Sequence, residues 1–471
     1  MPTCNVTRNS EVAKVMKKVK LVVWDECTMS HKRAFEAVNR MMQDVIESKN
    51  QLWRIEDNKL TDKSDWNNPD EWQFVEEDSF FYIKNVTRNK ILTVISGGKV
   101  SLQSFNGRIK ERQLWSKGKA DSQGYINLQN PASMKLLTSL THDDLEDKDR
   151  NNDELFGGVL FMLTGDFRQI LPVVPGGTKG NELDASVKSS VLWDKVNTLK
   201  LTKNMRVHLS GDPEAEDFAK TLLEIGNGEL GRDTEGIVGF PPNVAVKDLN
   251  ELIEATFPNL LDNYENEEYL AERGILAPKL IDVEEINKVL IKKVPETERI
   301  YRSRNKVIVQ ADATKYPVEF LETLNPSGVP PHLLKLKKNL PIMLMRNLDP
   351  PKLCNGTRLK ILKLHENVIE AKIIVGDYKG EEVFIPRIPL IPTGFGFDFK
   401  RIQFPVKPCF AMSINKAQGQ TMKNVGLFLE TEPFAHGQLY VGCSRCGSEK
   451  GLKIYAPHKK TINVVYREAL Q

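Results

Sequence analysis

The 471-residue sequence has no apolar run approaching the roughly 20 residues that a membrane-spanning helix needs, so that class is excluded. Its opening, MPTCNVTRNSEVAK, lacks the basic, apolar, small-residue order of a signal peptide. The expectation is therefore an intracellular protein, in which the Asn-x-Thr triplets at Asn5 and Asn85 are empty as glycosylation acceptors. Charge of one sign is scarce as well: 66 Lys and Arg against 63 Asp and Glu leave +3, which permits nucleic-acid binding without arguing for it. The six cysteines, at 4, 27, 354, 409, 443 and 446, are scattered, and Cys443-Ser-Arg-Cys446 has no second pair to complete a zinc site. They read as small buried hydrophobes in a reducing compartment. Seven histidines form no ligand spacing either, so any metal is expected to be a nucleotide-bound magnesium. Also missing is GxxxxGK[ST], the glycine-rich loop whose amides and lysine hold β- and γ-phosphates.

What is present begins with LVVWDECTM, Leu21 to Met29, an apolar run ending in adjacent carboxylates, Asp25 and Glu26. A buried parallel strand reads as such a run, and its C-terminal edge opens on the crevice where ligands bind. In phosphoryl transfer one acid there holds the metal and the other positions the attacking water. After Met29, Ser30 is expected to cap a helix from His31 to about Ser48, with Phe35, Val38, Met42 and Val45 on its apolar face.

Between about Lys49 and Arg150 tryptophans, short alternating runs and Asn, Gly and Asp turns replace helical periodicity. FYIKNVTRNKILT (Phe81–Thr93) aligns without gaps on INLQNPASMKLLT (Ile126–Thr138) at an offset of 45 residues, Trp72 and Trp115 preceding the copies. With Gln51-Leu52-Trp53 and Gln113-Leu114-Trp115, this resembles two lobes of a ricin-type β-trefoil, a family in which some lobes bind sugars. Trp53, Trp72 and Trp115 read better as core than as sugar platforms. The acidic tract Thr141–Asp153 reads as an exposed linker closing the insertion.

Strand texture returns at Gly157–Gly177, where Val159–Leu163 ends in Gly165-Asp166-Phe167-Arg168-Gln169. A glutamine at such an edge can hydrogen-bond both a nucleophilic water and a terminal phosphate. These residues resemble the superfamily 1 DNA helicases of the Pif type, most closely those carried by helitron transposons. The Asp25-Glu26 stretch is similar to their motif II, GDFRQILP (Gly165–Pro172) to motif III, and LTKNMR (Leu201–Arg206) to motif IV. GILAPKLIDVEEIN (Gly274–Asn287) resembles the opening of the second RecA-like domain, with Lys279-Leu280 in place of the usual Thr-Asn. PIMLMRNLDPPKLCNGTRL (Pro341–Leu359) matches the family's small β-barrel insertion, where Asn355-Gly356 reads as a tight turn. FAMSINKAQGQTMKNVGLFL (Phe410–Leu429) is similar to motif V and GQLYVGCSR (Gly437–Arg445) to motif VI.

The resemblance implies an α/β protein with two RecA-like P-loop-NTPase-type domains. The first is truncated and spans 1–48 and 151–235, a β-rich trefoil-like insertion with its acidic linker fills 49–150, and 236–270 is a helical connector. The second spans 271–340 and 400–471, around an SH3-like β-barrel insertion at 341–399. The implied activity is ATP-driven 5′-to-3′ unwinding of DNA in repair, recombination, telomere maintenance or helitron transposition, with a nuclear location. ATP is the substrate and Mg2+ the cofactor. Asp25 is assigned to magnesium, Glu26 to water activation, Gln169 to γ-phosphate sensing, and Arg206 and Arg445 to transition-state charge. Pro278, Asn415, Lys416, Gln418, Gly419 and Thr421 are assigned to single-stranded DNA or a duplex junction. Without a phosphate-binding loop, the second expectation is a non-catalytic helicase-derived chain that holds DNA or a partner. A third is a lectin-like module in 49–149 that binds a glycan or protein; no membrane partner and no oligomeric state is implied.

Overall fold

The computed structural model describes residues 6, 10–45 except 17, and 155–471 except 200, 202–212, 231–236, 310–313, 327, 393, 394 and 396; between them it describes the backbone of strands within 53–140. The chain divides into two compact units. The first is Met1–Glu229 with Ala435–Tyr440 and Val464–Gln471, and the second is Leu230–Phe434 with Val441–Asn463. Two short returns of the chain, at 435–440 and 464–471, thus belong to the first unit rather than to the second domain expected for them.

In the first unit Leu21–Trp24 runs parallel to Leu160–Gly165, with Trp24 opposite Leu163. Leu136–Leu140 lies antiparallel on the other side of Leu160–Gly165 and pairs in turn with Val196–Leu199. Apolar burial explains the sheet: Phe161 and Leu163 are buried, and Phe35, Met42 and Val45 of the helix Lys32–Val45 are buried with them. Phe156 stacks on Phe161 at 3.9 Å and lies 5.3 Å from Phe35. The helix starts one residue later than expected. His31 Nδ1, not Ser30, accepts from the amide of Arg33 at 3.1 Å and takes the capping role.

Between these elements, Trp53–Glu56, Lys59–Asp62, Trp72–Glu77, Phe80–Asn85, Lys90–Ile95 and Lys99–Ser104 form one antiparallel sheet in chain order. Ser116–Lys117 pairs with Leu128–Gln129. The sequence repeat is not a repeat of pairing. In its first copy Phe80–Asn85 and Lys90–Ile95 pair with each other. In its second copy Leu128–Gln129 turns to Ser116–Lys117, and Leu136–Leu140 joins the first unit's sheet. The described strands therefore differ from trefoil lobes, and the stretch through 150 is not all insertion. An alternating run specifies a half-buried strand but not its partner, which is why the alignment misled. The side chains of Trp53, Trp72 and Trp115, on which a glycan reading rests, lie outside the described residues.

The second unit has a parallel five-stranded sheet in the order Ala245–Val246, Leu452–Tyr455, Asn424–Phe428, Arg273–Ala277, Ala411–Ser413. Its inner strands carry continuous apolar runs, Gly274–Ala277 and Val425–Leu427 being buried throughout, as burial on both faces requires, whereas Leu452–Tyr455 alternates between buried and half-buried residues. The helix Leu280–Lys293 follows Arg273–Ala277 and buries Val283, Ile286 and Leu290 at helical spacing. The segment expected as a connector does more than connect: Ala245–Val246 is an edge strand of this sheet, and the helix Leu249–Thr256 buries Leu252 and Ile253. A second sheet is antiparallel, in the order Glu382–Pro386, Val368–Ile373, Arg358–Leu364, Pro341–Leu344, Val406–Pro408. Its last strand lies beyond the expected limit at 399 because the chain returns to Pro341–Leu344 only at Val406.

Candidate functional site

By register Asp25 follows Trp24 at the C-terminal edge of the first unit's parallel pair, beside Thr164. The Thr164 hydroxyl donates to Asp25 Oδ1 at 2.6 Å, and the Glu26 amide donates to the same oxygen at 2.9 Å. Glu26 itself sits in the left-handed region at φ 52, capping the 3-10 turn Cys27–Met29. An L-residue there is strained by about 1–2 kcal/mol, and such strain collects at functional sites. Two bonds thus orient Asp25, while the backbone turn re-aims Glu26. A carboxylate fixed in this way suits a magnesium that arrives with nucleotide phosphates and needs only one or two protein oxygens. Among the described residues no group of three acids, histidines or cysteines is placed for a metal.

The neighbouring strand ends at Gly165, where an added Cβ would lie 2.7 Å from the Thr28 side chain, so the two strand ends are in close contact. The loop that follows is held from several sides. Arg168 N donates to Asp166 Oδ1 at 3.0 Å, and Gln169 N to Asp166 O at 3.0 Å. The Tyr440 hydroxyl donates to Asp166 Oδ2 at 2.8 Å, and Arg168 Nε to Asn227 Oδ1 at 2.7 Å. Gln169 is buried at the end of this loop. Arg206 lies outside the described residues.

Sequence reasoning missed His436. It is 1% exposed; its Nε2 lies 2.7 Å from Phe167 O, and its Nδ1 accepts from the Tyr466 amide at 2.8 Å. A carbonyl can only accept and an amide can only donate, so the ring must be the neutral tautomer protonated at Nε2. Burial pushes its pKa below the ordinary 6.5, against the raising effect of Phe167 O and Asp166. The unfolded chain then binds the proton more readily, so the stability contributed by neutral His436 is complete above 6.5 and is lost as pH falls below it. Urea midpoints measured between about pH 5 and 8 should fall on the acid side for the wild-type chain and vary less for His436→Gln.

In the second unit, Ile414–Ala417 is a short helix after the strand Ala411–Ser413; it contains Asn415 and Lys416, while Gln418, Gly419 and Thr421 follow it, and Pro278 follows the neighbouring strand Arg273–Ala277. Lys416, Gly419 and Thr421 are exposed, Asn415 and Gln418 half-buried, and Pro278 buried. Lys416 lies 3.4 Å from Asn355 Oδ1 in the turn of the antiparallel sheet. Partial burial of the ammonium, then Lys407 and Arg346, lower its pKa. Lys407, just ahead of the motif, and Arg346, distant in sequence, thus add positive charge that the motif reading did not include.

Arg445 is buried, donating to Val441 O at 3.0 Å, Gln420 O at 3.2 Å and Ser444 Oγ at 2.8 Å. It thereby ties the loop after Ile414–Ala417 to its own helix. Cys443 and Cys446 are buried thiols; burial pushes Cys443 up to about 12 and also raises Cys446, as inert core residues require.

Residues 1–58 and 128–236 match the family described as PIF1-like helicase, and residues 319–364 match the DNA helicase Pif1 2B domain. The match resumes ahead of Leu136–Leu140, in keeping with that strand's place in the first sheet. The ATP-dependent DNA helicase PIF1 of Danio rerio is 28% identical over 313 residues, 65% of this chain and 42% of that protein. The Homo sapiens protein of the same name is 27% identical over 349 residues, 70% of this chain and 47% of that one. The chain spans less than half the length of these relatives. Among solved structures, Pif1 helicase from Bacteroides in complex with ADP-AlF3 and ssDNA is similar at TM-score 0.52 and 17% identity, covering 100% of this chain and 79% of that one. Pif1 helicase from Candida albicans gives a TM-score of 0.50 at 15% identity, covering 98% and 78%. The likeness is one of fold, a two-domain α/β helicase architecture.

Proposed function

We propose that this chain, which is similar to the Pif helicases, works as an ATP-dependent DNA helicase on single-stranded DNA or duplex junctions. One observation carries the reading: the strand that ends in Asp25-Glu26 is in parallel register with the strand that opens the Gln169 loop. Two acids and a glutamine at adjacent strand ends suit hydrolysis of a nucleotide's terminal phosphate. In this reading Asp25 holds the magnesium, which would neutralise charge on the phosphates. Glu26 takes the proton of the attacking water, and Gln169 responds to the γ-phosphate. Arg206 and Arg445 meet transition-state charge, the latter after exchanging its present carbonyl partners for phosphate. Lys416, Gly419 and Thr421, with Asn415, Gln418, Lys407 and Arg346, line a path for phosphodiesters, and Pro278 shapes the turn beside it. The antiparallel sheet from Pro341 onward acts as an SH3-like barrel that guides the strand.

These 471 residues contain no GxxxxGK[ST], so nothing in them offers the usual cradle for β- and γ-phosphates. That favours a second reading, DNA binding without turnover. ATP hydrolysis measured with and without single-stranded DNA separates the two. The helicase reading expects a DNA-stimulated rate that Glu26→Gln lowers by about 100-fold, the scale of a lost general base. Equal background rates in both proteins, with DNA binding that weakens steeply with salt, would overturn it in favour of the second.

A further inference from the structure

We propose that His436 is a positioning residue for the Gln169 loop, a neutral imidazole strut through which the C-terminal segment Val464–Gln471 holds that loop in place. The proposal rests on the reading above only for the task given to Gln169.

All the residues concerned lie in the first unit. The ring bridges two backbone groups of opposite character, the buried Phe167 carbonyl two residues before Gln169 and the half-buried Tyr466 amide. Each would otherwise be an orphan, and an apolar core residue in place of His436 could satisfy neither. The Tyr466 ring stacks on the imidazole at 5.1 Å and 21°, and its hydroxyl donates to Glu182 Oε2 at 3.0 Å. A second link runs parallel to the first: Lys188 Nζ lies 4.2 Å over the Phe167 ring and donates to Ala469 O at 2.9 Å. Loop and segment are therefore joined at two independent points. The next residue adds contact, since the backbone of Gly437 lies directly against Arg168 and Gln169. An imidazole committed at both nitrogens has one rotamer and one tautomer, which is what holding a loop requires.

Two substitutions separate the bonds. Asparagine places an acceptor near the Nδ1 position and glutamine a donor near Nε2. His436→Asn should keep the Tyr466 bond and lose the Phe167 bond, His436→Gln should do the reverse, and His436→Leu should lose both. Amide hydrogen exchange on the whole chain, without nucleotide or DNA, reads the outcome. The Tyr466 amide should exchange about tenfold faster in His436→Gln and His436→Leu but not in His436→Asn. The amides of Arg168 and Gln169 should quicken by about tenfold in His436→Asn and His436→Leu but not in His436→Gln. Unchanged exchange of Arg168 and Gln169 in His436→Leu, or an even quickening across the unit in all three variants, would overturn the proposal. Because no ATP is turned over, failure of the helicase reading leaves this pattern intact, and failure of the pattern leaves the helicase reading intact.

Discussion

Gly437→Ala is expected to destabilise the first unit by about 3–5 kcal/mol and to unseat the Gly165–Gln169 loop. Two costs combine. Gly437 has φ +70, a conformation in which any L side chain is strained by about 1–2 kcal/mol. The new Cβ would also fall 2.2 Å from Arg168 O and 2.8 Å from Gln169 C, both backbone atoms that cannot swing aside as a flexible side chain would. Either the loop moves, or the turn at Gly437 opens and strains the Gly437 N to Val464 O bond of 3.0 Å. Gly176 supplies the control. It shares the positive φ, at +68, but has open space where a Cβ would go, so Gly176→Ala should cost only the strain, about 1–2 kcal/mol. Urea midpoints give the comparison, and Trp193, whose ring meets Phe167 edge-on at 5.7 Å, reports the loop by its fluorescence. Equal midpoints for the two variants would show that Gly437 is not wedged against the loop.

The contrast between what the sequence discloses and what it hides follows from the same residues. LVVW and LFMLTG are legible as strands because each is a largely apolar run ending in polar residues, and pairing of the two places Asp25 and Asp166 at one edge, but only the second is buried and LVVW is half-buried throughout. What no periodicity encodes is the backbone turn after the run. Glu26 in the left-handed region is invisible until the chain is folded. His436 was hidden for a different reason: a lone histidine in FAHGQLYVG carries no spacing signal, and its importance comes from Phe167 and Tyr466, 269 and 30 residues away in sequence. Leu136–Leu140 was legible as a strand and not as a member of this sheet, since alternation fixes a face and leaves the partner open.

The same limit applies to charge, and Arg358→Met is the prediction that exposes it. An arginine in RLKILKL reads as one of the solvated positions of an alternating strand. Arg358 is instead 1% exposed, and it donates to three carbonyls, Ala271 O at 3.0 Å, Leu270 O at 2.8 Å and Arg273 O at 2.9 Å. Those oxygens close the helix Glu267–Ala271 and open the strand Arg273–Ala277, so this guanidinium pins the antiparallel sheet to the parallel one. Helix ends leave their last carbonyls without partners in the helix, and here one rigid fork supplies several at once. Methionine fills similar space but leaves three acceptors without this donor, two of them buried and one half-buried, at about 1–3 kcal/mol for each buried one, while recovering part of the cost of burying a charge. The expected loss is about 3–5 kcal/mol in the second unit's urea transition. Arg358→Lys should recover only part of it, because a single ammonium cannot reproduce the planar fork. Arg346→Met, at an exposed position, should stay within about 0.5 kcal/mol of the parent. If Arg358→Met proved as mild as Arg346→Met, the three carbonyls would have to be satisfied without the guanidinium, and the two sheets would owe their joint to apolar packing alone.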